Sequence, residues 1–147
     1  MEYAKFGETV YIRFDKGDEI IAGILNICRK EKIGSAVFSG IGGCRTAEIQ
    51  VFLPDEKRFM TEEITGSLEM ASMNGNVTTD GQGAVKHHAH AVFSYLENGE
   101  HKTMGGHIKS TEVLYTAEIE LRPVKGGLIS QSPNPETGTG FWKFVEE

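Results

Sequence analysis

The chain has 147 residues and a formal net charge of −6, which fits one domain able to bury about two-thirds of its unfolded surface. Acid excess repels phosphate backbones unless basic residues cluster, and the clusters here are short: Arg29-Lys30 with Lys32, Lys57-Arg58, and Arg122 with Lys125. No run of about 18 apolar residues or apolar signal segment occurs, and Cys28 and Cys44 alone make no disulfide framework, so the expectation is a soluble cytoplasmic protein with reduced, packed thiols and no membrane partner.

In chain order, Thr9–Phe14 alternates Val10, Ile12 and Phe14 with Thr9, Tyr11 and Arg13, the pattern of a first strand. Asp15-Lys16-Gly17-Asp18 reads as a turn, with Asp18 as helix N-cap. From Glu19 to Lys32 the apolar residues Ile20, Ile21, Ile24, Leu25 and Cys28 fall at helical spacing. Arg29, Lys30 and Lys32 crowd the negative end of the helix dipole, and Gly34 is the expected stop. Ser35–Ile41 and Thr46–Leu53 read as two strands separated by a tight corner at Gly42-Gly43. Lys57–Ile64 reads as a charged edge strand. Ser67–Val77 is a further strand, in which Gly75 predicts a bulge or bend.

Thr79 to Gly83 is an expected loop, followed by a hairpin over Ala84–Tyr95 and from Thr103 onward. Glu112–Leu121 then alternates with Val113, Tyr115, Ala117, Ile119 and Leu121 on one face. The segment 126–140 is polar and rich in Gly, Pro, Ser and Thr, an expected surface loop. Phe141, Trp142 and Phe144 mark a terminal strand over 141–147. No internal repeat or domain boundary appears. The expected architecture is therefore one α+β domain over 1–147, with a core at about 9–122, a loop at 123–140 and a terminal strand. Its sheet is largely antiparallel, with the helix covering one face.

The hairpin carries the most chemistry. Asn98-Gly99 is the strongest short-range signal for a two-residue type I′ turn. If Glu97 pairs with Glu100, counting back along both strands sets His90 opposite His107, with Cβ atoms roughly 4.5–5.5 Å apart. His88 lies two residues from His90 and so on the same face. Three imidazoles thus converge on one side of the ribbon, as in an open zinc-type site with room for a fourth ligand. The alternative is three surface histidines that share a face. Neutral imidazole also suits nickel, copper and iron. Gly105 and Gly106 precede His107; they either bulge and spoil the register or clear space for a ligand. His87 is expected on the opposite face and His101 near the turn, both outside the site.

Among carboxylates, Glu118 in the following strand and Glu69 before the hairpin are the candidates to orient a ligand imidazole or act as general base, against a plain solvent-exposed face. Ser39-Gly40-Ile41-Gly42-Gly43 follows a strand as a dinucleotide loop would, but no helix pattern follows to receive a pyrophosphate. No nucleophile elbow, P-loop or zinc-finger spacing is present.

Taken together, His88-Ala89-His90-Ala91, Gly105-Gly106-His107 and Thr116-Ala117-Glu118 resemble the plants-and-prokaryotes-conserved (PPC) domain family. Ser39-Gly40-Ile41-Gly42, Leu68-Glu69-Met70 and Met73-Asn74-Gly75-Asn76 add to the resemblance, which runs from about Thr9 to Arg122. It implies about seven mostly antiparallel strands with a flanking helix, a homotrimer, and metal binding at His88, His90 and His107, with zinc favoured. Plant members of the family place the domain after AT-hooks that bind DNA. No Arg-Gly-Arg-Pro core occurs here, and the plant Gly-Arg-Phe-Glu-Ile-Leu pattern is only partly kept in Gly66-Ser67-Leu68-Glu69-Met70-Ala71.

Three functions follow as expectations. The first is a metal-dependent binding or regulatory module taking water or a small anionic ligand. The second is an enzyme that activates a metal-bound water with Glu118 or Glu69 as base. The third is an architectural DNA-binding protein as in the plant branch.

Overall fold

A computed structural model describes residues 1–80, 82–136 and 139–146. Gly81, Thr137 and Gly138, within expected loops, and Glu147, within the expected terminal strand, lie outside them. Among the described residues the elements are β1 (Glu2–Phe6), β2 (Thr9–Asp15), α1 (Ile20–Lys30), β3 (Ala36–Leu53), β4 (Arg58–Thr79), β5 (Val85–Glu97), β6 (Glu100–Pro123), β7 (Gly127–Pro133) and β8 (Gly140–Glu146). One largely antiparallel sheet with a single helix is the α+β class that the patterning predicts, with two strands more than it reveals. β1, ahead of the first expected strand, pairs antiparallel with β2. β7 occupies part of the segment expected to be loop and pairs with β8; its polar sequence satisfies its backbone through β8 rather than through water.

Four long strands organise the rest. β3 pairs with β4 and β6, β4 pairs with β5, and β5 pairs with β6, so the ladder closes on itself. β2 extends β6 outward, while β7 joins β4 through the Thr79–Ser130 pair. The core lies between α1 and the sheet, where Phe14, Ile20, Ile24, Phe93 and Ile119 are all buried.

The helix forms where its periodicity predicts, but its caps differ. Glu19, not Asp18, closes the N-terminus. Its carboxylate accepts from the Ile21 and Ala22 amides and, at 2.9 Å, from the Thr111 amide on β6. Asp18 instead accepts from the Asp15 amide at 2.8 Å. The longer glutamate reaches the helix and β6 together, a tertiary demand that local spacing does not express. At the other end Lys32, at φ 56°, takes the left-handed position expected of Gly34, and the Ile33 amide donates to the Cys28 carbonyl at 2.8 Å.

β3 and β4 each run unbroken where two shorter segments are expected. Gly42-Gly43 is not a corner: β3 continues through it, with register shifts between Gly40 and Gly42 and between Cys44 and Thr46. These glycines permit contact rather than a turn. A Cβ on Gly40 would collide with the Glu118 carbonyl, and one on Gly42 with Ala117. Where β4 pairs with β5, the irregularity falls between Met70 and Ser72 rather than at Gly75. Gly75 sits in regular ladder, where a Cβ would meet the Phe38 ring and Ala89. On β6, Tyr115 leaves the inner face expected for it and is 64% exposed. Val113 pairs with Cys44 and Ala117 with Gly42, so β6 carries extra residues there and bulges outward. Both cysteines are buried and free, and burial pushes the Cys28 thiol up to about 11.

Candidate metal centre

The β5–β6 hairpin turns at Asn98 (φ 53°) and Gly99 (φ 80°), the paired positive values that a type I′ turn requires. Glu97 pairs with Glu100, and the register runs without a shift to His90 opposite His107. Gly105 and Gly106 therefore do not bulge against β5. Their role is close approach: a Cβ on Gly105 would lie 2.9 Å from the Ala91 carbonyl oxygen, and one on Gly106 2.9 Å from that of Gln50.

The structure brings His88, His90 and His107 together. Their ring centroids are 5.0 Å apart for His88–His107, 5.3 Å for His88–His90 and 5.5 Å for His90–His107. One nitrogen from each lies within 4.8 Å of the others. Nitrogens on a tetrahedral zinc at about 2.0–2.1 Å are about 3.4 Å apart, so small ring rotations suffice to fit an ion. Burial, reinforced by the neighbouring imidazoles, pushes His107 down to about 4 and lowers His88 as well. Both shifts favour the neutral ring, the form that ligates metals.

A second observation concerns the neighbouring strand. Asn76 pairs across from His88 and Asn74 from His90, which sets both amides beside the trio. The Asn76 Oδ1 is buried and has no hydrogen-bond partner within the described structure. A ligating imidazole donates its second N–H to an acceptor of this kind. The residues present thus fit a divalent transition metal.

The trio forms one wall of a cavity of about 560 Å³. Gln50, Val51 and Phe52 from β3 and Phe59 from β4 form another wall, and Gln131 and Gly140 from the terminal hairpin a third. Phe59 packs on His107 with centroids 5.1 Å apart, and Phe52 on Phe59 at 5.2 Å. Gly140 seats the Gln131 side chain, which a Cβ there would displace.

The other candidates fall elsewhere. His87, expected on the opposite face, sets Nε2 3.3 Å from the Ile108 carbonyl oxygen, yet it still reaches the cavity wall. His101 pairs with Leu96 near the turn, away from the trio. Glu118 lies opposite Arg13 and Ile41, roughly 30 Å or more along β6 from His107 at strand rise. It accepts from the Thr116 hydroxyl at 3.1 Å and lines a different groove. Glu69, opposite Gly43 and Ser94, does not line the histidine cavity either. Among the described residues, no carboxylate reaches that cavity.

Sequence reasoning missed Phe52, Phe59, Asn76 and Gln131. For the phenylalanines a signal existed: Pro54-Asp55-Glu56-Lys57 is a four-residue hairpin loop whose register pairs Phe52 with Phe59. For Gln131 there was none, because its polar, Gly- and Pro-rich segment gives no strand pattern and β7 meets the main sheet through the Thr79–Ser130 pair.

The fold recurs in solved structures. A plant- and prokaryote-conserved protein from Pyrococcus horikoshii superposes with TM-score 0.82 at 32% identity, over 99% of this chain and 97% of that one. A protein from Archaeoglobus fulgidus described as metal-containing gives TM-score 0.82 at 27% identity, over 97% and 96%. A Bacteroides thetaiotaomicron protein with a provisional DNA-binding name gives 0.88 at 21%, over 97% and 96%, a likeness of fold alone. No protein of curated function matches the sequence significantly. The family profile of the Plants and Prokaryotes Conserved (PCC) domain matches residues 1–125, and the chain belongs to that family.

Proposed function

We propose that the protein binds one divalent transition metal per chain through His88, His90 and His107, with zinc favoured, and serves as a small-ligand-binding or regulatory module. The observation that carries this reading is the convergence of three imidazole nitrogens within 4.8 Å on a register set by the hairpin turn. The metal would supply a Lewis-acidic coordination position open to a ligand. The unpartnered Asn76 oxygen and the metal-containing relative lend support. In this reading the protein is a cytoplasmic homotrimer; among the described residues no helix is long and apolar enough to cross a membrane.

Metal analysis of protein purified without added metal tests the assignment. We expect about one equivalent per chain, lost in a His88→Ala, His90→Ala double variant. Unchanged metal content in that variant would place the metal elsewhere.

The enzyme reading is less well supported, since neither Glu118 nor Glu69 lines the cavity where a base would act. A DNA-binding role is favoured by the provisional names of two structural relatives and opposed by the net charge of −6. A phosphate-driven contact would weaken steeply with salt; absence of binding at low salt rejects it.

A further inference from the structure

The walls around the three histidines restrict what the open position can take. Among the described residues the cavity is lined by no Lys, Arg, Asp or Glu. An ion held by the three imidazoles would therefore be its main charge. A polyanion such as phosphate finds no Lys or Arg there to offset its additional charge, which is costly to hold in a half-enclosed site. The opposite wall is apolar: Val51, Phe52 and Phe59 line it, with the Phe59 ring tilted against His107 and Phe52 against Phe59. Phe59 is 40% exposed and Val51 49%, so this surface remains open to a ligand. At the rim Gln131, seated over Gly140, and Gln50 supply amides. A volume of about 560 Å³ lies within the range of small-molecule sites, roughly 300–1,000 Å³, where apolar walls bind and a few polar groups orient.

Building on the proposed metal centre, we infer that the ligand is a small singly charged oxyanion carrying a flat apolar body, an aromatic carboxylate being the simplest case. The carboxylate takes the open metal position, the body lies along Phe59 and Phe52, and the Gln131 amide meets whatever polar group the far end carries. The terminal hairpin thus acts in selection: β7 contributes Gln131 and β8 the glycine that seats it, although both lie beyond the family match at residue 125.

The test uses the full chain loaded with Co(II), whose visible bands report exchange of the open ligand. Benzoate, acetate and inorganic phosphate are titrated separately. Burial of the ring predicts that benzoate binds about tenfold or more tightly than acetate and that phosphate binds no better than acetate. Phe59→Ala should erase most of the benzoate advantage over acetate, read on the cobalt-loaded fraction of each protein. Equal affinities for benzoate and acetate, or tighter binding of phosphate, would overturn the inference while leaving the metal centre standing. Failure of the wild-type chain to take up cobalt would remove the metal centre and this inference with it. The comparison among probes on the wild-type chain stands even if the variant folds poorly.

Discussion

Two hairpins meet at the histidine cavity, and they are built on opposite principles. The β5–β6 hairpin turns on Asn98-Gly99 and keeps its register to His90–His107, so it places its imidazoles through local chemistry. The β7–β8 hairpin carries no comparable two-residue turn and meets the main sheet through the Thr79–Ser130 pair. The Ile129 amide adds a bond to the Ser35 hydroxyl at 3.1 Å. One hairpin therefore sets the geometry of the three histidines, and the other adds a wall. The donor set is encoded within about twenty residues, whereas the cavity around it depends on the whole fold.

Substitutions that strike each hairpin should separate these roles. Gly99→Val should have the largest effect. Forcing a β-branched residue into φ 80° costs about 1–3 kcal/mol, read as a lower urea midpoint of metal-free protein, together with weaker metal uptake because the register is loosened. Asn76→Leu should act on the metal alone. Loss of the acceptor beside His88 should lower zinc affinity about tenfold, measured by competition with a chromogenic chelator, with little change in urea midpoint. Trp142→Ala on β8 should have the smallest effect. The ring packs edge-on to Phe144 at 6.1 Å, is 42% exposed and lines a groove beside His88 and His90, so about 1 kcal/mol or less of stability is expected to go, with zinc affinity changed less than by Asn76→Leu. A Trp142→Ala effect on zinc larger than that of Asn76→Leu would reverse the division of labour.

The same contrast explains what the sequence reveals. Helix α1 is legible because Ile20, Ile21, Ile24 and Cys28 repeat at its own period, and the trio is legible because a turn type fixes its register. The continuity of β3 through Gly40 and Gly42 is not, since those glycines answer to Glu118 and Ala117 across the sheet. Tyr115 keeps the alternation in sequence and breaks it in space, because the β6 bulge opposite Cys44 turns it outward. Glu19 in place of Asp18 as cap has the same cause, a bond to Thr111 far along the chain. The clustering of the three histidines could thus be read from spacing, but the position of the carboxylates could not. Glu118 and Glu69 have the right chemistry, yet strand length carries them away from the site.

The central claim is that three imidazoles from one hairpin hold the metal, and X-ray absorption of the zinc-loaded protein tests it most directly. The account predicts a shell of nitrogen or oxygen donors at about 2.0–2.1 Å with the outer scattering of three imidazole rings. A sulfur shell at about 2.3 Å, or a shell without imidazole scattering, would contradict it.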